Sequence, residues 1–120
     1  ILDIKFDEKY FERVIHHEVF HIINDSFKEI FDEKKWSNFN VKNFNYAECS
    51  TCTDKVALDT YKKTDGFLTE YSRSTASEDM AEVFSHLMIG LNTNDSDPIL
   101  EKKIEFIKTN LLKIDENFIL

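Results

Sequence analysis

The sequence predicts a mainly α-helical protein with at most a short N-terminal strand. Its 120 residues include only 2 glycines and 1 proline, which argues against a turn-dense β-sandwich, a glycine-rich phosphate loop or a long flexible linker. Apolar side chains recur at spacings of three and four residues, and 11 phenylalanines are available to fill a core. A chain of this length is expected to form one domain with a modest core.

The first helix is predicted to run from near Asp7 to about Phe31. The segment before it, Ile1 to Phe6, is long enough for one short strand, although an isolated strand cannot make a sheet. The helix carries an apolar stripe that we expect to face the core, formed by Phe11, Ile15, Val19 and either Ile22 or Ile23.

Two further segments separate this helix from the next one. The connector from Trp36 to Tyr46 is rich in asparagine and aromatic residues, which predicts irregular structure over a satellite cluster. A short helix is expected around Asp54 to Lys62.

A second main helix is predicted from about Ser77. Thr75 and Glu78 fit a Thr-x-x-Glu capping box, with Ser77 as an alternative N-cap. Its apolar residues recur at helical spacing and are expected to be buried: Met80, Val83, Phe84, Leu87, Met88 and Leu91.

The C-terminal part predicts a closing amphipathic helix. The run from Asn92 to Pro98 has the composition of a loop, and a proline is favoured in the first turn of a helix. The apolar stripe of the closing helix comprises Leu100, Ile104, Ile107, Leu111 and Ile114.

The first helix also carries the pattern His-Glu-x-x-His, at His17, Glu18 and His21. Residues four apart lie on one face of a helix, so both imidazoles can bind one ion. Zinc held this way activates a water, and the adjacent glutamate can take its proton while the water attacks a carbonyl. The alternative is a polar patch on an ordinary helix.

A third ligand decides between these interpretations. The metzincin form would need Gly and His where this chain has Asn24 and Phe27, and the inverted pattern His-x-x-Glu-His is absent. This leaves a glutamate on a downstream helix, where Glu78 and Glu82 share one face with His86. Glu78 can then bind the metal while Glu82 orients His17, because a ligating histidine usually donates its other N–H to a carboxylate or carbonyl.

The two motifs together resemble gluzincin-type metallopeptidases, in particular the protease domain of anthrax lethal factor and the zinc-binding metallopeptidases common in Bacteroidetes. The resemblance covers about residues 10–91. It implies a zincin-like domain over residues 1–120 with Zn²⁺ bound by His17, His21 and Glu78. It also implies that Tyr71 stabilises the oxyanion and that Glu82 supports a ligand. Tyr71 as a core aromatic and Glu82 as a solvated charge are the alternatives.

The other polar residues near the motifs leave several possibilities open. His16 lies off the metal face and His86 lies too far along its helix to ligate, while Arg73 suits either loop anchoring or substrate contact. The pair Cys49 and Cys52 is compatible with half of a zinc site, a redox pair, a small disulfide loop or two free thiols.

Charge and composition limit the partners. The net charge of −8 makes nucleic acid an unexpected partner, and the sequence contains no apolar run of membrane-spanning length. Because the chain opens at Ile1 close to its motif helix, we expect a processed or truncated piece of a longer protein. A secreted or cell-envelope location is expected separately.

The sequence thus predicts zinc-dependent hydrolysis of protein or peptide substrates, with Glu18 as the general base. A zinc-stabilised module that binds peptides or proteins without cutting them is the alternative. A toxin-like protease that acts on a single host protein is a third possibility.

Overall fold

The computed structural model describes residues 7–53, 65–90 and 97–118. In these ranges the chain forms α1 (Glu8–Ser26), α2 (Glu33–Ser37), α3 (Ala76–Met88) and α4 (Pro98–Ile114), and a 3-10 helix at Tyr71–Arg73. No strand lies among the described residues, so the mainly α-helical prediction is confirmed. The expected strand at 1–6, the expected helix at 54–62 and most of the last loop, 92–96, lie outside the described residues.

Helix α1 begins as predicted but ends earlier. Asp7 caps its first turn by accepting a hydrogen bond from the Tyr10 amide, whereas the helix stops at Ser26 rather than near Phe31. In a continuous helix Phe20 and Phe31 would lie roughly 16 Å apart along the axis. The chain instead turns back after Ser26, and the two rings pack 5.2 Å apart. Burial of Phe31 in the core therefore favours the early end.

The prediction of the core face of α1 is wrong for most of the stripe. Phe11, Ile15, Val19 and Ile22 are 50%, 45%, 40% and 68% exposed, and of the predicted set only Ile23 packs against the core. The buried residues of the helix are His17, Phe20 and Asn24. The polar members of this face have hydrogen-bond partners on α3, so the helix can bury them without losing hydrogen bonds.

The connector from Trp36 to Tyr46 is irregular after its first two residues, as predicted, but those two residues belong to a short helix. Asp32 caps the short helix α2 by accepting hydrogen bonds from the amides of Lys34 and Lys35. Trp36 on this helix is completely buried and belongs to the main core rather than to a satellite cluster. Its indole N–H donates to the Asp79 carboxylate at 3.1 Å, which ties the connector to α3.

Helix α3 lies at the centre of the fold. Thr75 caps it as predicted, accepting from the Glu78 amide at 3.1 Å. Met80, Val83 and Phe84 are buried in the core, as the spacing predicts, whereas Met88 near the C-terminus is 37% exposed. The remaining predicted core residues of this helix are Leu87, which is partly buried, and Leu91, which lies outside the described residues.

Helix α4 closes the core beside α3. Pro98 occupies the first turn and Asp97 caps the helix by accepting from the Leu100 amide. The predicted stripe is confirmed, with Leu100, Ile107 and Leu111 buried and Ile104 and Ile114 packed against the core. None of the helices in the described parts of the chain combines the length and the apolar character that crossing a bilayer requires.

Lys103 on α4 is an unexpected member of the interior. Its ammonium group is completely buried and donates to Asp79 at 2.8 Å and to the carbonyl of Gly66 at 2.9 Å. The same group lies 3.9 Å from the centroid of the Phe67 ring. The contacts of Lys103 with Asp79 and with Gly66 therefore hold α4, α3 and the loop before the 3-10 helix against one another.

Candidate metal centre

The packing of α1 against α3 brings together the three predicted ligands. His17 Nε2 lies 2.7 Å and His21 Nε2 lies 3.1 Å from Glu78 Oε2, and the two nitrogens are 3.1 Å apart. His17 and His21 lie one turn apart on α1, and Glu78 comes from the first turn of α3. The ligand prediction from spacing thus describes one compact cluster, in which these residues are able to hold a metal ion.

Hydrogen bonds on the far side of each imidazole orient its ring. His17 Nδ1 lies 3.0 Å from Glu82 Oε2, and His21 Nδ1 lies 3.2 Å from Ser77 Oγ. The Glu82 carboxylate only accepts, which assigns the proton of neutral His17 to Nδ1 and leaves a lone pair on Nε2. With the His21 proton likewise on Nδ1, donating to Ser77, two nitrogen lone pairs and a carboxylate oxygen face one point.

This donor set fits a zinc ion. Ligands about 2.0–2.1 Å from a tetrahedral zinc lie roughly 3.3 Å from one another, close to the separations in this cluster. Three protein ligands of this kind leave the fourth position to water, which is the arrangement of catalytic rather than structural zinc sites.

The electrostatics of the cluster favour a cation. Burial alone lowers the pKa of His17, but hydrogen bonds and charges of Glu78 and Glu82 outweigh it and raise that pKa to about 9. Burial alone raises the pKa of Glu78, yet hydrogen bonds and charges of His17 and His21 lower it to about 2. The carboxylates therefore remain charged and attract positive charge, carried by a proton or by a metal ion.

Glu82 is buried, not solvated. It is 2% exposed, and its second carboxylate oxygen accepts a hydrogen bond of 2.8 Å from the Thr69 hydroxyl. Although burial raises the pKa of Glu82, hydrogen bonds from His17 and Thr69 outweigh that effect and lower it. No sequence pattern indicated Thr69, because a loop residue 13 positions before Glu82 forms no periodic pattern with it.

Tyr71 lies at the edge of the cluster. Its ring stacks on His17 with centroids 5.8 Å apart, and its hydroxyl interacts with the side chains of Glu78 and Ser50. Partial burial and the charge of Glu78 raise the pKa of Tyr71 to about 12. The hydroxyl thus keeps its proton near neutral pH and is able to donate a hydrogen bond.

Glu18 follows His17 on α1 and is exposed to solvent. Its assignment as the general base stays a prediction.

The other two histidines lie outside the ligand cluster. His16 packs edge-on against Phe84, with centroids 6.4 Å apart. His86 is buried, with Nδ1 2.7 Å from the Glu82 carbonyl and Nε2 3.1 Å from an Arg13 nitrogen. Burial lowers the pKa of His86, so this ring is neutral near pH 7.

Arg73 and the cysteine pair, whose roles the sequence left open, also have defined contacts. Arg73 lies over the rings of Phe44 and Phe67, at 5.8 and 5.0 Å from their centroids. Cys49 and Cys52 form a disulfide, which excludes the half-zinc-site and free-thiol alternatives for this pair. The four-residue disulfide loop includes Ser50, the side chain that interacts with Tyr71.

Two histidines on one helix face a glutamate on a second helix, so this α-helical domain brings together three side chains that could hold a metal ion. The family model described as "Putative zinc-binding metallo-peptidase" matches residues 2–114, and the chain belongs to this family. Zn²⁺ is accordingly the metal that the site is built to bind. No curated protein and no solved structure matched the chain.

Proposed function

We propose that this protein hydrolyses peptide bonds with Zn²⁺ held by His17, His21 and Glu78. The observation that carries the proposal is the convergence of their three ligand atoms within 3.1 Å, in a chain of the zinc-binding metallopeptidase family. Bound zinc would supply a water of lowered pKa and polarise the substrate carbonyl.

The remaining steps are assigned to residues around the ligands. Glu18 takes the proton of the attacking water and later delivers it to the leaving amine. The protonated hydroxyl of Tyr71 donates a hydrogen bond to the oxyanion that develops on the substrate. Glu82 keeps the ring of His17 in the tautomer and orientation that ligation needs.

A cleavage assay with a matched pair of variants tests this proposal. Unfolded protein or a peptide library is incubated with the zinc-loaded protein, with and without a chelator. Glu18→Gln should keep the zinc and lose hydrolysis, whereas Glu12→Gln, at another exposed glutamate of α1, should keep both. We expect a loss of at least roughly 100-fold for Glu18→Gln, as for removal of a general base.

Two outcomes would count against this assignment. Turnover retained by Glu18→Gln would remove Glu18 from its proposed role. Zinc binding without cleavage by the unaltered protein, on generic substrates and on proteins from candidate hosts, would instead favour the peptide-binding module.

We also propose a secreted or cell-envelope location. The disulfide between Cys49 and Cys52 supports it, because disulfides persist mainly in oxidising compartments. Alkylation of the protein in intact cells, with and without prior reduction, tests this proposal. Two thiols that react without reduction would contradict it.

A further inference from the structure

Thr69 connects the carboxylate that orients His17 with the 3-10 helix that carries Tyr71. Its side chain is completely buried in the loop just before the 3-10 helix that carries Tyr71. Its hydroxyl oxygen lies 2.8 Å from Glu82 Oε1, 3.1 Å from the Ser72 amide nitrogen and 3.1 Å from Ser72 Oγ. One oxygen atom thus contacts both the carboxylate behind His17 and the backbone next to Tyr71.

The direction of each hydrogen bond in this group follows from Glu82. An ionised carboxylate only accepts, so the Thr69 hydroxyl donates to it. Both lone pairs of the Thr69 oxygen are then available for the N–H and the O–H of Ser72. The Ser72 hydroxyl oxygen accepts in turn from the Thr69 amide at 3.4 Å. Every hydrogen-bonding position of the Thr69 hydroxyl is used.

On one side, this arrangement fixes the turn that presents Tyr71. A threonine hydroxyl that accepts from the amide three residues later makes the same contact as a helix N-cap. Here that amide belongs to Ser72, the middle residue of the Tyr71–Arg73 helix. Loss of the hydroxyl would leave a buried amide without this acceptor.

On the other side, the same hydroxyl holds the Glu82 carboxylate. One oxygen of Glu82 accepts from Thr69, and the other accepts from His17 Nδ1. With both oxygens bonded, the carboxylate cannot rotate without losing a buried hydrogen bond. The ring of His17 is therefore held with Nε2 toward Glu78 and His21.

We propose that Thr69 is a positioning residue that sets the geometry of the zinc ligand His17 and of Tyr71 together, through Glu82 and Ser72. The inference rests on the proposed metal site, and it assigns no contact between Thr69 and either metal or substrate. Only a hydroxyl that donates once and accepts twice suits this place, so serine can replace Thr69 and valine cannot.

Zinc affinity tests this inference without reference to turnover. Thr69→Val keeps the shape of the side chain and removes the hydroxyl, and Thr69→Ser restores it. We expect roughly tenfold weaker zinc binding for Thr69→Val, as for other residues that support a metal ligand indirectly, and affinity close to the original for Thr69→Ser. Ser85→Ala is the matched control, because that buried hydroxyl of α3 donates to the backbone carbonyl of Glu82 rather than to its carboxylate.

A spectroscopic reading separates positioning from general loosening of the fold. In the Co²⁺-substituted protein, the visible absorption bands report ligand geometry. They should shift in Thr69→Val and stay unchanged in Thr69→Ser and Ser85→Ala. A folded Thr69→Val protein with the original zinc affinity and cobalt spectrum would overturn the inference.

Two further outcomes remain distinguishable. If Thr69→Val does not fold, Ser72→Ala decides, because it removes the hydroxyl that donates to Thr69. A folded Ser72→Ala with unchanged affinity and spectrum would overturn the inference, and weaker binding with a shifted spectrum would support it. If the unaltered protein binds zinc no better than His21→Ala does, the proposed metal site itself is wrong.

Discussion

Zinc binding should depend steeply on pH, because a proton competes with the metal for His17. Zinc binds the neutral imidazole, so the proton of an imidazolium must leave first. Hydrogen bonds and charges of Glu78 and Glu82 outweigh the effect of burial and raise the pKa of His17 to about 9. The apparent Kd then scales with 1 + 10^(pKa − pH) for this group. From pH 6 to pH 8 the apparent Kd should fall by about 90-fold, whereas it would fall by about fourfold for an imidazole of ordinary pKa.

The metal-free protein should show the opposite trend in stability. Because the folded-state pKa of His17 is raised, its contribution is complete below pH 6.5 and is lost as the pH rises through about 9. The pKa of Glu78 is lowered to about 2, so its contribution is present above pH 4.5 and is lost as the pH falls toward 2. Raising the pH from 6.5 to 9 should therefore lower the free energy of unfolding of the metal-free protein while zinc stabilises it increasingly.

A competition titration against a chelator of known zinc affinity, repeated at each pH, measures the pH dependence of zinc binding. Urea unfolding of the metal-free protein measures the pH dependence of its stability. Glu82→Gln is the control, since it removes one of the two carboxylates that raise the pKa of His17. The zinc affinity of this variant should change less with pH than that of the unaltered protein. If the apparent Kd of the unaltered protein for zinc changes by less than about tenfold between pH 6 and pH 8, the reasoning is refuted.

Two stability predictions follow from the interior. Lys103→Met should lower the free energy of unfolding by roughly 3–5 kcal/mol, because it leaves the Asp79 charge buried without its cation; adding Asp79→Asn should recover much of the loss in urea unfolding. A double variant no more stable than Lys103→Met would contradict this. Gly66→Ala should cost roughly 2–4 kcal/mol, because φ is +91° and the added Cβ would collide with Ile99. Gly90→Ala, at φ +86° in open space, should show the backbone strain alone, so equal losses for the two variants would argue against the collision.

The clustering of His17, His21 and Glu78 could be predicted from the sequence because the information that indicates it is local. Spacing of four residues on a helix places His17 and His21 on one face, whatever the remainder of the chain does. The downstream glutamates required only a recognisable second helix, whose cap at Thr75 formed as predicted. Elimination of the metzincin form at Asn24 and Phe27 then left a glutamate as the expected third ligand.

The orientation of α1 could not be predicted in the same way. Apolar periodicity indicated a core face at Phe11, Ile15, Val19 and Ile22, yet the helix buries the face that carries His17 instead. Periodicity counts apolar side chains and does not detect that a polar face has buried partners on another helix. Those partners come from α3, distant along the chain.

Contacts between separate segments of the chain explain why the position of Trp36 and the role of Thr69 were not predicted. Trp36 belongs to the main core because Asp79 accepts a hydrogen bond from its indole nitrogen and Phe106 packs on its ring, at a centroid distance of 5.5 Å. Thr69 contacts Glu82 only after the loop folds back on α3. Such contacts between distant segments leave no spacing in the sequence.

The metal content of the purified protein tests the central claim most directly. Elemental analysis after loading with zinc and removal of the excess should find one zinc per chain in the unaltered protein. His21→Ala and Glu78→Ala should lose it, whereas His16→Ala, next to the first ligand but packed against Phe84, should keep it. Zinc retained in full by His21→Ala, or lost equally from His16→Ala, would contradict the assignment of His17, His21 and Glu78 as the ligands.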